Sequence, residues 1–224
     1  MSGRDRISRY TTAKGDQGQY QPGSRGRVLA NLPGISIKTE MDRAEYEALL
    51  LAQERHLRII TAQTRFTTEL ICRMHRDWLG RLYGWAGQFR NVDLSKAGFH
   101  WPPATRVAEN MSRFENGLLA KNTPCRRGTV GEVARGIAEV HAELLLIHPF
   151  RDGNGRLARW LADLMALQAG LAVPDYGFTG RGAKTQRERY LAAIVAGYTM
   201  DYEPLTAFLE AALARSPRAW GTAE

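Results

Sequence analysis

His148-Pro149-Phe150-Arg151-Asp152-Gly153-Asn154-Gly155-Arg156-Leu157-Ala158-Arg159 decides how this 224-residue chain is read. It lies between two segments of helical period. Upstream, Val133, Ile137, Val140, Leu144 and Ile147 recur at steps of three and four; downstream, Leu157, Trp160, Leu161, Leu164 and Met165 do the same. Between them the chain is polar and rich in glycine. Gly153, Asn154 and Gly155 tolerate positive φ, and two of them have no Cβ to keep a ligand from the backbone. The pattern predicts helix, tight polar loop, helix. Unpaired amides at the start of the second helix, with its partial positive charge, make a phosphate site.

The neighbouring side chains agree with an anion there. Arg156 and Arg159 are three apart and share a face of the first turns. Their guanidinium groups match phosphate oxygens in pairs, and two cations at a positive helix end call for an anion. Asp152 offers a hard oxygen to magnesium, which reaches proteins through one or two carboxylates plus substrate phosphates. His148 ends the upstream helix and suits a general base. A zinc site from His141, His148 and Asp152 lacks a fourth ligand and a close pair of histidines.

These twelve residues resemble the signature of the Fic (Fic/Doc) family, His-Pro-Phe-x-Asp/Glu-Gly-Asn-Gly-Arg-x-x-Arg, with every fixed position filled. Leu82-Tyr83-Gly84-Trp85-Ala86-Gly87-Gln88-Phe89-Arg90 resembles the family's Tyr/Trp-Ala-Gly-x-x-Arg segment upstream of it. The resemblance implies a single all-α domain with a small β-hairpin flap over the active site. It implies a protein adenylyltransferase that moves AMP from ATP to a Ser, Thr or Tyr hydroxyl of a target protein and releases pyrophosphate. On the matching positions His148 would take the hydroxyl proton. Asp152 would hold magnesium, Gly153, Asn154 and Gly155 would bind phosphate oxygens, and Arg156 and Arg159 the outer phosphates. A flap registers the target polypeptide by strand addition, and Lys96, Gly98, Phe99, His100 and Trp101 fall on it.

Many Fic enzymes are restrained by a helix of pattern Ser/Thr-x-x-x-Glu-Gly/Asn. Ser36 to Glu40, Thr199 to Glu203 and Thr206 to Glu210 have the spacing, but Met41, Pro204 and Ala211 follow them. That departure favours restraint by a separate antitoxin protein, as in a bacterial toxin–antitoxin pair, or no restraint. Kinase-like phosphate transfer, as in Doc relatives, is the rival on the same fold. From another class, the net charge of +8 fits a basic nucleic-acid binder, whose binding would be steep in salt and survive changes at His148.

Composition bounds the rest. The length suits one domain, expected over residues 31–214, after a basic arm (1–30) and before a polar tail (215–224). No apolar run approaches the ~20 residues of a membrane span, and the N-terminus lacks the apolar stretch of a secretory signal. Cys72 and Cys125 read as reduced thiols of a cytoplasmic protein, or of one delivered to another cell. Helices are expected over residues 42–60, with Ala44, Leu49, Leu50, Leu57 and Ile60 mainly on one side, and over 66–82, 104–119, 187–198 and 204–213. The hairpin is expected within residues 91–103, which end in two prolines. His56 reads as exposed or partly packed, His75 as structural, and His141 as packing or surface. Arg135, Glu139 and Glu143 read as a solvated stripe.

Overall fold

The computed structural model describes residues 11–12, 16–96, 98–126 and 128–216. The fold is all-α with a small antiparallel sheet. The helices are α1 (Lys38–Leu57), α2 (Thr68–Leu79), α3 (Val107–Phe114), α4 (Ala120–Asn122), α5 (Val130–Ile147), α6 (Asn154–Gln168), α7 (Ala183–Gly197) and α8 (Glu203–Arg215). The strands are β1 (Thr11–Thr12), β2 (Leu94–Lys96) and β3 (Phe99–His100), in the order β1-β2-β3. The described chain forms two compact units, each discontinuous in sequence.

The first unit comprises the chain up to His56, Glu69–Met111 and Ile147–Gly153. Its core is the apolar stripe of α2, where Ile71, Met74, Trp78 and Leu79 are buried. α1 does not bury the apolar face expected of it. Met41, Glu45, Ala52 and His56 point inward, while Leu50 and Leu57 are exposed. The reason is that its polar residues find buried partners. Glu45 accepts the Trp78 indole N–H at its carbonyl (2.8 Å) and the Tyr83 hydroxyl at its carboxylate (2.6 Å). His56, fully buried rather than exposed, pairs with Asp77 at 2.9 Å. Such satisfied polar groups can lie inside.

The expected hairpin is present but short. Ser95 pairs with His100 and Lys96 with Phe99, and Val92, Leu94 and Trp101 pack beneath. β1 adds a third strand that sequence reading did not anticipate. The arm expected over residues 1–30 also differs: the compact unit already includes residues from Asp16. Tyr20 bridges to Leu29, Val28 is buried, and the Gln17 carbonyl accepts the Arg151 Nε–H at 2.6 Å. Residues 1–10, 13–15 and 217–224, which include most of the expected tail, lie outside the described residues.

Leu57–Thr68, Ser112–Leu146 and the chain from Asn154 onward make the second unit. α5 opens on a reciprocal cap, the Glu132 N–H donating to Thr129 Oγ1 and the Thr129 N–H to the Glu132 carboxylate. It buries Val133, Ala134, Ile137, Ala138 and Leu144, while α6 buries Leu157, Leu161, Leu164 and Met165. The helix expected over 104–119 is a run of differing pitch: a 3-10 turn, α3, a π turn (Glu115–Leu119) and α4. Glu139 is not on a solvated stripe. It is 6 % exposed and gathers Lys121 (2.8 Å), Asn122 (3.0 Å) and Arg135 (3.1 Å). Cys125 is buried and unpaired, and Cys72 is half-buried and unpaired.

Candidate active site

The signature straddles the two units: His148 to Gly153 close the first, and Asn154 to Arg159 open α6 in the second. Each half has its own supports.

In the first, His148 is buried and adopts φ of 52°, a conformation a side-chain-bearing residue rarely holds unless its surroundings fix it. Arg90 does the fixing. Its backbone N–H donates to the Pro149 carbonyl (2.8 Å), and its Nε–H donates to the His148 carbonyl (2.8 Å). The remaining guanidinium donors reach the carbonyls of Val92, Pro102 and Ile147. One side chain thus ties both ends of the hairpin to the backbone of His148. Burial lowers the Arg90 pKa, opposed by the charge of Asp93.

His75 supports the other end of the loop. The Gly87 amide donates to Nδ1 at 2.8 Å, so Nε2 carries the proton and donates to the Asp152 carbonyl at 3.1 Å. Its ring stacks on Phe150, 3.9 Å between centroids and 7° from parallel. Gly153 has φ of 85°, and a Cβ there would lie 2.9 Å from the Trp78 ring and 3.3 Å from His75 Nε2. Only glycine fits.

The flap residues divide. Trp101 lies against the imidazole of His148, with ring centroids 4.2 Å apart, and Phe99 meets Trp101 edge-on at 5.2 Å. Lys96, Gly98, Phe99 and His100 are exposed. Within the described sheet β3 is an edge strand.

In the second unit, Asn154 is the first residue of α6 and is buried, with Arg156 and Arg159 half-buried after it. A Cβ on Gly155 would meet only Arg159 Nη1, at 3.8 Å, so nothing in this unit's packing demands glycine there. The missing Cβ instead leaves room beside the first-turn amides, as a phosphate needs. The Arg159 guanidinium lies 5.8 Å from the Phe178 ring centroid, an arrangement attractive to a cation. Its charge also acts on His141, Asp163 and Tyr190. Burial pushes the Asp163 carboxyl up to about 7, against the pull of Arg159 and Tyr176. Asp163 Oδ1 and Tyr176 Oη each lack a well-formed hydrogen bond.

Asp152 accepts the Gly153 amide at its own carboxylate and is half-buried. No group of three or more His, Cys, Asp or Glu that could hold a metal occurs among the described residues. The zinc reading from His141, His148 and Asp152 therefore has no support. One carboxylate with no protein cage does fit magnesium, a hard ion that takes its other ligands from phosphates and water.

The sequence does not disclose the bonds by which Arg90 and His75 hold the loop. Arg90 bonds to carbonyls, which every residue has, so no partner type marks it. His75 and His141 are tied to main-chain atoms far away in sequence. The Trp85–Arg90 segment was singled out by resemblance, but not the bonds it makes.

Residues 65–166 match the model of the Fic/DOC family. The chain is similar to the probable protein adenylyltransferase y4lH of Sinorhizobium fredii, 26% identical over 180 residues, 80% of this chain and 88% of that one. It is also similar to the protein adenylyltransferase VbhT of Bartonella schoenbuchensis, 27% identical over 146 residues, 65% of this chain but 30% of VbhT. Among solved structures, the BepC protein of Bartonella tribocorum with bound AMPPNP superposes with a TM-score of 0.69 at 18% identity, covering 88% of this chain and 96% of that one. The filled signature, the all-α fold and these matches agree: over residues 65–166 the chain is similar to the Fic/DOC family.

Proposed function

We propose that this protein is a protein adenylyltransferase, a nucleotidyltransferase that moves AMP from ATP to a Ser, Thr or Tyr hydroxyl of a target protein. The observation that carries the reading is the first turn of α6, with open space beside Gly155 where packing needs no glycine and with Arg156 and Arg159 at its flank. The reading is further supported by relatives named protein adenylyltransferases.

In this mechanism His148 accepts the proton of the target hydroxyl as its oxygen attacks the α-phosphorus. Arg90 holds the backbone of His148, and Trp101 packs against its ring. The Gly153 turn leads into the amides of Asn154 and Gly155, which with the Asn154 side chain donate to phosphate oxygens, aimed where charge develops. Arg156 and Arg159 take the outer phosphates and stabilise the departing pyrophosphate. Magnesium held at Asp152 would supply neutralisation of phosphate charge. The target segment adds to the β3 edge of the flap. We place the activity in the cytoplasm, where ATP is abundant, or in a cell to which the protein is delivered.

We further propose restraint by a separate antitoxin protein. Of the four internal Ser/Thr-x-x-x-Glu spacings, those beginning at Ser36, Thr199 and Thr206 depart from the inhibitory pattern; the fourth, Thr105 to Glu109, is followed by Asn110, but its glutamate is engaged with Arg106 at 2.7 Å, as Glu203 is with Arg135 at 3.2 Å.

The test is incubation of the protein and its His148→Ala variant with α- or γ-labelled ATP, magnesium and a cell lysate. Protein-bound α-label that disappears in the variant is the expected result. Transfer of γ-label in its place would overturn the reading in favour of kinase-like chemistry.

A further inference from the structure

One peptide group of the signature loop, that between Asp152 and Gly153, is held at both of its polar ends. Its carbonyl oxygen lies 3.1 Å from His75 Nε2, and its N–H donates to Oδ1 of the Asp152 carboxylate. A trans peptide is planar, with C=O and N–H on opposite sides, so a group that holds the oxygen also aims the hydrogen. His75 therefore acts on the carboxylate through a single rigid unit.

The imidazole can hold that oxygen in one tautomer only. His75 is fully buried, and the Gly87 amide donates to its Nδ1 at 2.8 Å, so the ring's proton sits on Nε2 and faces the Asp152 carbonyl. Gly87 has φ of 77°, and a Cβ there would lie 2.7 Å from Arg76 Cβ and 2.9 Å from the Cys72 carbonyl oxygen, so only glycine brings this amide up to α2. The stack on Phe150 sets the plane of the ring. Without the imidazole the peptide is a weak point, because Gly153, with φ of 85°, lets it turn over at little cost. Turning over would carry the N–H away from the carboxylate. His75 Nε2–H opposes that twice: it would lose its acceptor, and it would face a second donor.

We infer that His75 is a positioning residue for the metal ligand: by fixing the Asp152–Gly153 peptide, its Nε2–H holds the Asp152 carboxylate ready for magnesium. The inference rests on the proposed role of Asp152 as the magnesium ligand. A carboxylate in place only part of the time binds with an affinity reduced by that fraction. The loss falls on ATP bound with magnesium and spares ATP bound without it.

Calorimetric titration with ATP, in magnesium and again in EDTA, reads the metal's contribution without turnover. His75→Asn, whose amide stands near the place of Nδ1, can still accept from Gly87 but falls short of Asp152. It should weaken ATP about tenfold in magnesium, the scale of one hydrogen bond, and leave it within about twofold in EDTA. His75→Gln, whose amide reaches the place of Nε2, can donate to the Asp152 carbonyl and should return affinity in magnesium to within about threefold of the parent. Both variants lose the stack on Phe150, so packing alone would move them together. Equal losses in magnesium and EDTA, or equal losses in the two variants, would overturn the inference in favour of packing. Asp152→Asn should erase the parent's difference between magnesium and EDTA. If it does while His75→Asn leaves that difference intact, the inference alone falls. If Asp152→Asn leaves the difference unchanged, the magnesium reading of Asp152 falls first and the inference with it.

Discussion

A buried guanidinium generally needs partners for its charge as well as for its N–H groups. Arg90 supplies five donors to the carbonyls of His148, Ile147, Val92, Pro102 and, through its backbone, Pro149. Arg90→Met should leave several of these carbonyls unsatisfied and cost about 2–4 kcal/mol, at roughly 1 kcal/mol or more for each buried group. Arg90→Lys should recover only part, because an ammonium cannot span the same fork. Chemical denaturation of both variants checks the order parent, Lys, Met. Gly153→Ala makes a second demand at this scale. Positive φ and the Trp78 ring together should cost about 1–3 kcal/mol of stability and reduce AMP transfer. Equal melting temperatures for Gly153→Ala and parent would refute that account. The signature residues were legible in sequence because their types state their chemistry: glycine, arginine and carboxylate beside a histidine. Arg90 and His75 were not, since what they hold is main chain.

At the level of elements, legibility followed the strength of the apolar period. α5 and α6 bury residues that recur at three- and four-residue steps, and both appear where that period put them. α1 carries as many leucines, yet its inward face was set by the partners of Glu45 and His56, which no local pattern discloses. β1, a pair of threonines, has too few residues to show an alternation. The flap was readable from the Pro102–Pro103 stop and its glycine turn, and its edge strand yields a prediction about the target. If the target pairs with β3 through main-chain bonds, His100→Ala should change transfer by less than about twofold. His100→Pro, which removes an N–H and restricts the strand, should lower transfer about tenfold with ATP binding intact. Labelled transfer alongside calorimetry separates the two effects, and a large loss in the alanine variant would show that side-chain recognition governs instead.

For the molecule as a whole, the buried network around Arg159 sets how stability responds to acid. Asp163, pushed by burial up to about 7 from 3.8, keeps a proton in the folded chain that the unfolded chain has released across that window. Stability from this group therefore falls as pH rises through it. His141 runs the opposite way: held down to about 3 from 6.5, it stays unprotonated while the unfolded chain takes up a proton, so stability is lost as pH falls below 6.5. Each slope is bounded at about 1.4 kcal/mol per pH unit, and that of Asp163 is reduced by the partial exposure of its side chain. Over roughly pH 4 to 6.5 the two oppose one another, which should leave the parent's profile flatter than either group alone would make it. Asp163→Asn removes the compensating carboxyl and should make denaturant midpoints fall more steeply on acidification. His141→Gln removes the other arm and should make them fall less steeply, or rise. The remaining carboxylates, Glu132, Glu139 and Glu143 among them, are common to all three proteins and drop out of the differences. Midpoints at pH 4.5, 5.5, 6.5 and 7.5, taken without nucleotide, decide it. Parallel curves for the three proteins would mean that neither group differs in proton affinity between folded and unfolded chain, and that solvent reaches Asp163 and His141 more freely than their burial implies.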